Sequence, residues 1–272
     1  MGAAKILRLK ENTAGRDFVI GDIHGAYDLV LEAMRQVKFN RKVDRLFVVG
    51  DLVDRGPQSH RCRKFLEQDY TFAVSGNHDK TLVDIHAQGE PPQALVDWLK
   101  RNNGFGWWES VEPAERVAIV QALAQLPLVI EIETARGTVG LLHAEVPRGM
   151  DWKTFTAKIE AGDPETTESC LEGRERYKQQ DFSGVPGIDR IFVGHTVHWG
   201  GATRYGNVYS IDTGAIFGQL GIKDKGSLTM ASLVARTGIL AGPRAAQGLV
   251  DLRLHEETEV NMEPFGQYAA PI

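Results

Sequence analysis

The sequence predicts an α/β fold built on a parallel sheet, and three observations support this prediction. Short apolar runs alternate with helical segments over the first third of the chain, which is the βαβ pattern. Three of these runs end in a glycine followed by Asp, Asn or His. The motifs are Gly21–Gly25 (GDIHG), Gly50–Gly56 (GDLVDRG) and Gly76–Asp79 (GNHD). Because the carboxyl ends of parallel strands lie along one edge of a sheet, we expect the polar side chains of these motifs to converge.

Two strand–helix units and a third strand account for this first part of the chain. We predict the first strand at Phe18–Ile20 and a helix over Tyr27–Val37, where apolar side chains recur at a helical spacing. The second strand is predicted at Leu46–Val49, followed by a helix over His60–Gln68. The third strand is predicted at Thr71–Val74.

The middle of the chain is predicted to insert helices and then return to strands. We interpret residues 84–126 as a helical insertion that leans over the site, with helices at Ala94–Arg101 and Pro113–Leu126. Trp107 and Trp108 lie in this insertion and either line a substrate groove or pack inside the protein. A hairpin, a helix and a fourth strand follow, at 128–143, 152–161 and 191–193. Later strands at 208–211, 228–234 and 249–254 are predicted to be antiparallel and to lie in the other layer.

Composition limits the class of protein. The 272 residues are 42% hydrophobic and 25% charged, with a net charge of −5, so nucleic acid is a poor candidate partner. We predict a single domain over 1–272 with a polar C-terminal tail at about 256–272. Cys62 and Cys170 form no CxxC pair, which favours reduced thiols and a cytoplasmic location. No apolar run reaches the roughly 20 residues of a membrane span, and the oligomeric state stays open.

Six polar side chains follow predicted strands directly or within three residues. They are Asp22, His24, Asp51, Asn77, His143 and His195. Taken singly, each could be a helix cap or a hydrogen-bonded structural residue. Together they suit divalent Mn²⁺, Fe²⁺ or Zn²⁺, and six ligands are too many for one open catalytic ion. They fit two ions that share a carboxylate, and Asp51 is the natural bridge because it lies between the two halves of the set.

These motifs resemble those of the phosphoprotein phosphatase family of calcineurin-like metallophosphoesterases. Later blocks at 143–147, 173–176, 194–196 and 211–215 resemble those of bacterial and phage-type serine/threonine protein phosphatases, so the resemblance covers about residues 17–235. It implies a four-layer α/β fold in which two mixed β-sheets are sandwiched between helices. It also implies two divalent metal ions, which we expect to be Mn²⁺, with Fe²⁺ and Zn²⁺ as alternatives.

The resemblance implies a role for each side chain of the site. One ion would be held by Asp22, His24 and Asp51, and the other by Asp51, Asn77, His143 and His195. A hydroxide between the ions would attack phosphorus directly, without a phosphoenzyme.

The proton and phosphate roles are implied in the same way. His78, paired with Asp54, would protonate the leaving oxygen, and Arg55 and Arg174 would hold the phosphate. The choice between Arg174 and Arg176 stays open. General acid–base chemistry and the bidentate fit of guanidinium to phosphate are consistent with these roles.

The resemblance predicts a phosphomonoesterase that acts on phosphoserine, phosphothreonine or phosphotyrosine in proteins and also on small phosphoesters such as aryl phosphates. Two departures bear on the substrate. Ser75 stands where these phosphatases commonly have Arg, and Asp79 stands where they commonly have Glu; the GNHD form resembles diadenosine tetraphosphate hydrolases. A dinucleoside polyphosphate hydrolase is therefore the second hypothesis. The third is a phosphoester-binding protein without turnover, against which the complete ligand set argues.

Overall fold

Strands and helices alternate along the chain in the computed structural model, which describes residues 4–87, 89–222, 226–235, 237–242 and 249–251. The strands in these ranges are β1 (Ile6–Leu9), β2 (Asp17–Ile20), β3 (Arg45–Val48), β4 (Thr71–Ala73), β5 (Val129–Thr134), β6 (Gly137–Leu142), β7 (Arg190–Val193), β8 (Thr203–Tyr205), β9 (Val208–Ser210), β10 (Leu228–Ser232), β11 (Thr237–Ala241) and β12 (Leu249–Asp251). The α-helices there are α1 (Tyr27–Gln36), α2 (Cys62–Leu66), α3 (Asn77–Ile85), α4 (Gln93–Asn102), α5 (Pro113–Leu123), α6 (Trp152–Ala161), α7 (Pro164–Glu172), α8 (Glu175–Gln179) and α9 (Ala215–Gln219). Short 3₁₀ segments at Ser59–Arg61 and Phe105–Ser110 precede α2 and α5.

The described strands form two mixed sheets of six strands each. The first sheet has the order β12-β11-β10-β2-β3-β4, and the second has the order β1-β5-β6-β7-β9-β8. In the first sheet β2, β3 and β4 are parallel, with β10 antiparallel to β2. In the second, β6, β7 and β9 are parallel, with β5 antiparallel to β6. The parallel strands of each sheet therefore end along a common edge.

Alternation of side chains along the central strands produces four layers. Val19 and Phe47 face the second sheet, where they join a core cluster with Ile130. Their neighbours Ile20 and Leu46 face outward and pack among the apolar side chains of α1 to α5. On the far side of the second sheet, α6 and α7 contribute a further apolar cluster. Since alternate residues of a strand point to opposite faces, strands buried on both faces are continuously apolar. The predicted four-layer sandwich of two mixed sheets between helices is confirmed.

The predictions for the edge and the later strands need correction. The N-terminal lead-in contains β1, which pairs in parallel with β5; its interspersed Lys and Arg are typical of an edge strand and mask the signal. β9 lies in the second sheet as predicted, but it is parallel to β7 and antiparallel only to β8. β10 and β12 are antiparallel to their neighbours as predicted, yet they lie in the first sheet, together with β2. Hydrophobic pattern alone does not decide which sheet a late strand joins.

The five predicted helices are present close to their predicted bounds, as α1, α2, α4, α5 and α6, whereas α3, α7, α8 and α9 were not predicted. α6 has the predicted bounds, and α4 and α5 lie within the proposed insertion. α7 was not predicted, although Asp163 caps its first turn through the Thr166 N–H and Pro164 occupies the first helical position. None of the described helices is long and apolar enough to cross a membrane. The single domain over 1–272 stays a prediction, and the tail at 256–272 lies outside the described residues.

Candidate active site

The six side chains predicted as metal ligands come together where strands of both sheets end. Five of them are buried and Asn77 is partly buried. The loops that carry them follow β2, β3, β4, β6 and β7. The shared edge of the two sheets thus provides the site, because the packed sheets bring their parallel strand ends side by side.

One cluster of donor atoms lies between the two sheets. Donor atoms of Asp51, His143 and His195 lie within 4.8 Å of one another. Asn77 completes this cluster, since its Oδ1 atom is 2.9 Å from His143 Nε2 and 3.2 Å from His195 Nδ1. Such a set of carboxylate, amide and imidazole donors suits a borderline divalent metal.

Asp51 also belongs to a second cluster of donors, with His24 and His78. Its Oδ2 atom is 3.3 Å from His24 Nε2 and 3.5 Å from His143 Nε2, so one carboxylate oxygen faces both clusters. Its Oδ1 atom accepts the His78 backbone N–H at 3.0 Å. A carboxylate shared in this way fits a bridge between two divalent ions.

Backbone carbonyl groups orient two of the imidazoles. The Nδ1–H of His24 donates to the Val53 carbonyl oxygen, and the Nδ1–H of His143 donates to the Val49 carbonyl oxygen, both at 2.8 Å. Each ring therefore presents its Nε2 atom to Asp51. A hydrogen bond from the far ring nitrogen is the usual way to fix a metal-binding tautomer, so these residues fit the metal centre that the donor set suggests.

The position of Asp22 differs from that of the other predicted ligands. Its carboxylate accepts the backbone N–H of His195 at 3.0 and 3.2 Å, and it falls in neither cluster of donors. A Cβ atom at Gly194 would lie 1.9 Å from Asp22 Oδ1, so only glycine permits this approach. The role of Asp22 as a ligand remains a prediction.

Strained backbone is concentrated at the site. Among the described residues, five of the seven non-glycine residues with positive φ carry site side chains: His24 (44°), Asp51 (52°), Asp54 (69°), Arg55 (64°) and His195 (64°). Non-glycine residues seldom adopt this region, and such strain persists only where the surrounding structure enforces it. The fold therefore holds these side chains in position at a cost in backbone free energy.

Burial and charge act differently on the individual donors. Burial lowers the pKa of His143, but the Asp51 carboxylate raises it more, to about 10. Burial and the neighbouring Arg55 lower the pKa of His24 to about 3. Burial, with the His143 charge second, lowers the pKa of His195 to about 3. Burial alone would raise the pKa of Asp51, but the surrounding imidazoles hold it well below its usual range. His24 and His195 are therefore neutral and Asp51 is anionic near neutral pH.

His78, a member of the second cluster, forms a buried pair with Asp54, which lies outside both clusters. His78 Nδ1 lies 2.8 Å from Asp54 Oδ2. Burial lowers the pKa of His78, but the Asp51 charge and the Asp54 hydrogen bond raise it more, and the net shift is upward. Asp54 Oδ1 accepts the indole N–H of Trp107 at 2.8 Å. The sequence left two roles open for Trp107, lining a substrate groove or packing inside the protein. The one signal for the contact with Asp54 is the general rule that a buried indole N–H needs a hydrogen-bond acceptor.

Of the three arginines considered for phosphate binding, Arg55 and Arg174 contact site residues and Arg176 does not. Arg55 is exposed, and its guanidinium nitrogens lie 2.9 Å from His24 Nε2 and 3.1 Å from His78 Nε2. Arg174 is also exposed, and its Nε atom is 3.1 Å from His195 Nε2. Arg176 is buried instead, where it donates to the Asp181 carbonyl oxygen at 3.0 Å. Arg174 is therefore the arginine of this pair that faces the site.

The two departures from the phosphatase motif are buried, with Ser75 in the loop after β4 and Asp79 in the first turn of α3. The Asp79 carboxylate accepts the backbone N–H groups of Leu52 and Gly76, each at 3.0 Å, and so ties two motif loops together. Ser75 is 4% exposed, and its hydroxyl donates to the Gly76 carbonyl oxygen at 3.3 Å. Asp79 thus has a structural explanation that is independent of the substrate.

Two packed mixed sheets, with Asp, His and Asn donors where their strand ends meet, define a metallophosphoesterase. The chain belongs to the calcineurin-like phosphoesterase family, whose model matches residues 18–199. Members of this family use a binuclear divalent metal centre, and the donor clusters of this chain could hold such ions.

Relatives within the family differ in substrate. The chain is 32% identical to "Serine/threonine-protein phosphatase 1" of Salmonella typhimurium over 221 residues, 79% of this chain and 91% of the relative. It is 25% identical to "Bis(5'-nucleosyl)-tetraphosphatase, symmetrical" of Cellvibrio japonicus over 258 residues, 74% of this chain and 92% of the relative. The crystal structure of a cold-active protein-tyrosine phosphatase from a psychrophilic Shewanella has a TM-score of 0.55 at 16% identity, over 91% of this chain and 82% of that one. This structural likeness supports the fold alone.

Proposed function

We propose that this metallophosphoesterase hydrolyses phosphomonoesters, with phosphoserine and phosphothreonine in proteins as its main substrates and phosphotyrosine as a further one. The observation that carries the proposal is the His78–Asp54 pair beside the shared Asp51 carboxylate. It places a proton donor next to the donor clusters, as cleavage of an ester with a poor leaving group requires. The relative that is 32% identical supports a protein substrate.

The proposed metal ligands follow from the donor clusters and the family. Asp51 with His24 and Asp22 would hold one divalent ion, and Asp51 with Asn77, His143 and His195 would hold the other. When bound, two divalent ions would lower the pKa of a coordinated water molecule and offset the charge of a phosphoryl group. We expect Mn²⁺ to serve in both positions.

The two exposed arginines would bind the phosphoryl group. The Arg55 guanidinium contacts His24 and His78, and the Arg174 guanidinium contacts His195. The two guanidinium groups therefore reach the donor clusters from different loops. Guanidinium donates two parallel hydrogen bonds to phosphate oxygens. A bound phosphate group would replace the imidazole nitrogens as the hydrogen-bond acceptor of the two arginines. Both arginines are exposed, which leaves room for a phosphorylated side chain of a protein.

His78 would transfer a proton to the leaving oxygen. Asp54 accepts the Nδ1–H of His78, and His78 Nε2 lies 3.1 Å from a guanidinium nitrogen of Arg55. When a phosphoryl group takes over the hydrogen bonds of Arg55, Nε2 would be free to carry the proton that His78 donates. After the transfer His78 is neutral and keeps its Nδ1–H on Asp54. A serine or threonine alkoxide is a poor leaving group, so this proton lowers the barrier.

A dinucleoside polyphosphate hydrolase is the second candidate function. The tetraphosphatase relative supports it, because it aligns over 92% of its own length. The GNHD motif also points to it, although the contacts of Asp79 with two loops explain that residue without reference to a nucleotide.

A direct comparison of substrates tests the proposal. Purified protein is stripped of metal, Mn²⁺ is added back, and kcat/KM is measured for a phosphothreonine peptide and for diadenosine tetraphosphate. We expect the peptide to be preferred by more than about tenfold, a difference of roughly 1.4 kcal/mol in transition-state binding. Preference for the nucleotide would select the second function, and the protein without Mn²⁺ serves as the control.

A further inference from the structure

We propose that Trp107 is a positioning residue that orients the His78 imidazole through Asp54. This inference rests on the proposed role of His78 as the proton donor. Trp107 belongs to the 3₁₀ segment Phe105–Ser110 of the helical insertion, whereas Asp54 and His78 follow β3 and β4. The insertion would therefore contribute to the chemistry of a site whose proposed metal ligands follow strands of the two sheets.

The contacts form a linear chain of two hydrogen bonds. Trp107 Nε1–H donates to Asp54 Oδ1 at 2.8 Å, and Asp54 Oδ2 accepts the Nδ1–H of His78 at 2.8 Å. Trp107 is 6% exposed and Asp54 is 2% exposed, so water has little access to either. A carboxylate with one donor on each oxygen cannot rotate without losing both bonds. Trp107 therefore fixes the plane of the carboxylate that fixes the ring of His78.

The same segment supports Asp54 from the backbone side. Asp54 and the following Arg55 both have positive φ, at 69° and 64°. The backbone N–H of Arg55 donates to the Gly104 carbonyl oxygen at 2.9 Å. A Cβ atom at Gly104 would lie 2.5 Å from Arg55 Cα, so the two backbones touch. The Gly104 backbone and the Trp107 indole together hold the strained turn that carries Asp54.

The adjacent Trp108 provides a matched control. It is 1% exposed and packs on Phe105 with ring centroids 5.3 Å apart. Its Nε1 atom has no hydrogen-bond partner among the described residues. Trp108→Phe thus removes a similar volume from the same segment as Trp107→Phe, but it removes no bond to Asp54.

The test compares the two variants on phenyl phosphate and p-nitrophenyl phosphate. We expect Trp107→Phe to lower kcat about tenfold on phenyl phosphate, as loss of an orienting partner commonly does. The effect on p-nitrophenyl phosphate should be clearly smaller, since its better leaving group needs less help from an acid. KM and bound metal should be unchanged, and Trp108→Phe should match the unmodified protein on both substrates. Equal losses on the two substrates, or equal losses in the two variants, would overturn the inference.

A His78→Asn background separates positioning from general damage. There, Trp107→Phe should cause no further loss of kcat, because the residue it orients is already absent. A second loss as large as that in the unmodified protein would show that Trp107 acts by another route.

A spectroscopic measurement keeps this inference distinct from the proposed function. In ¹H–¹⁵N spectra, the indole resonance that disappears in Trp107→Phe should shift in Asp54→Asn, while the one that disappears in Trp108→Phe should not. If the protein does not hydrolyse phosphomonoesters, the proposed function fails, and this spectrum still decides the contact. An unshifted Trp107 resonance would overturn the inference even if turnover were normal.

Discussion

Asp51→Asn is expected to abolish turnover and to lower the amount of bound metal. Asp51 is common to both donor clusters, with one carboxylate oxygen 3.3 Å from His24 Nε2 and 3.5 Å from His143 Nε2. An amide is neutral, so the variant loses the charge that would hold two cations together. We expect kcat to fall by more than the roughly 10²–10³-fold that loss of one transition-state contact costs. Phosphate release and metal analysis after gel filtration measure the two effects.

Asp44→Asn is the matched control for this variant. Asp44 is as buried as Asp51 but lies at the opposite end of β3, where it accepts the Arg16 backbone N–H at 2.8 Å. The control should lose thermal stability and keep both its metal and its kcat. Full metal content in Asp51→Asn, or inactivity of Asp44→Asn after correct folding, would contradict the assignment of Asp51 as the shared ligand.

His78→Asn is expected to lower kcat by about 10²–10⁴-fold, the usual contribution of a general acid, and to leave the metal content nearly intact. The Nδ1 atom of His78 lies 2.8 Å from Asp54 Oδ2. Because Asp54 belongs to neither donor cluster, this bond orients the ring without using a proposed metal ligand. Asparagine retains a polar side chain but cannot supply the proton. Parallel assays of phosphate release and metal content distinguish this result from that of Asp51→Asn.

The control for His78→Asn lies at the end of the same helix. His86 follows the last residue of α3, and its Nδ1–H donates to the Leu82 carbonyl oxygen at 2.9 Å, away from the donor clusters. His86→Asn should leave kcat within about the few-fold range of a substitution outside the site. A loss of metal in His78→Asn equal to that in Asp51→Asn would mean that His78 is a ligand. The proximity of His78 to His24 and Asp51 makes that outcome a real alternative.

Most of the donors could be found in the sequence because each lies just after a short apolar strand, but the second cluster contains His78 where Asp22 was predicted. Parallel strands end at one edge, so motif order predicts that Asp51 and Asn77 meet, since both follow strands of the first sheet. His143 follows β6 of the second sheet, and its place beside them was implied by the family resemblance. The layer order followed from the family resemblance rather than from the pattern. β10 illustrates the difference: its apolar residues suit either sheet, and only its pairing with β2 decides.

Contacts between distant segments could not be predicted in this way. Trp107 is 53 residues from Asp54, and nothing in the local sequence distinguishes its indole from that of Trp108. Arg174 and Arg176 were equally suitable phosphate ligands in the sequence, and only the burial of Arg176 against Asp181 separates them. The Trp107–Asp54 contact and the burial of Arg176 depend on how the loops pack in three dimensions, and neither periodicity nor spacing in the sequence reveals them.

Metal dependence of phosphopeptide hydrolysis tests the central claim most directly. Metal-stripped protein is titrated with Mn²⁺, and phosphate release from a phosphothreonine peptide is measured against the number of ions bound per chain. Because Asp51 faces both donor clusters, the account predicts two bound ions and turnover that develops mainly with the second. Full turnover without metal, or turnover that saturates with one bound ion, would contradict it.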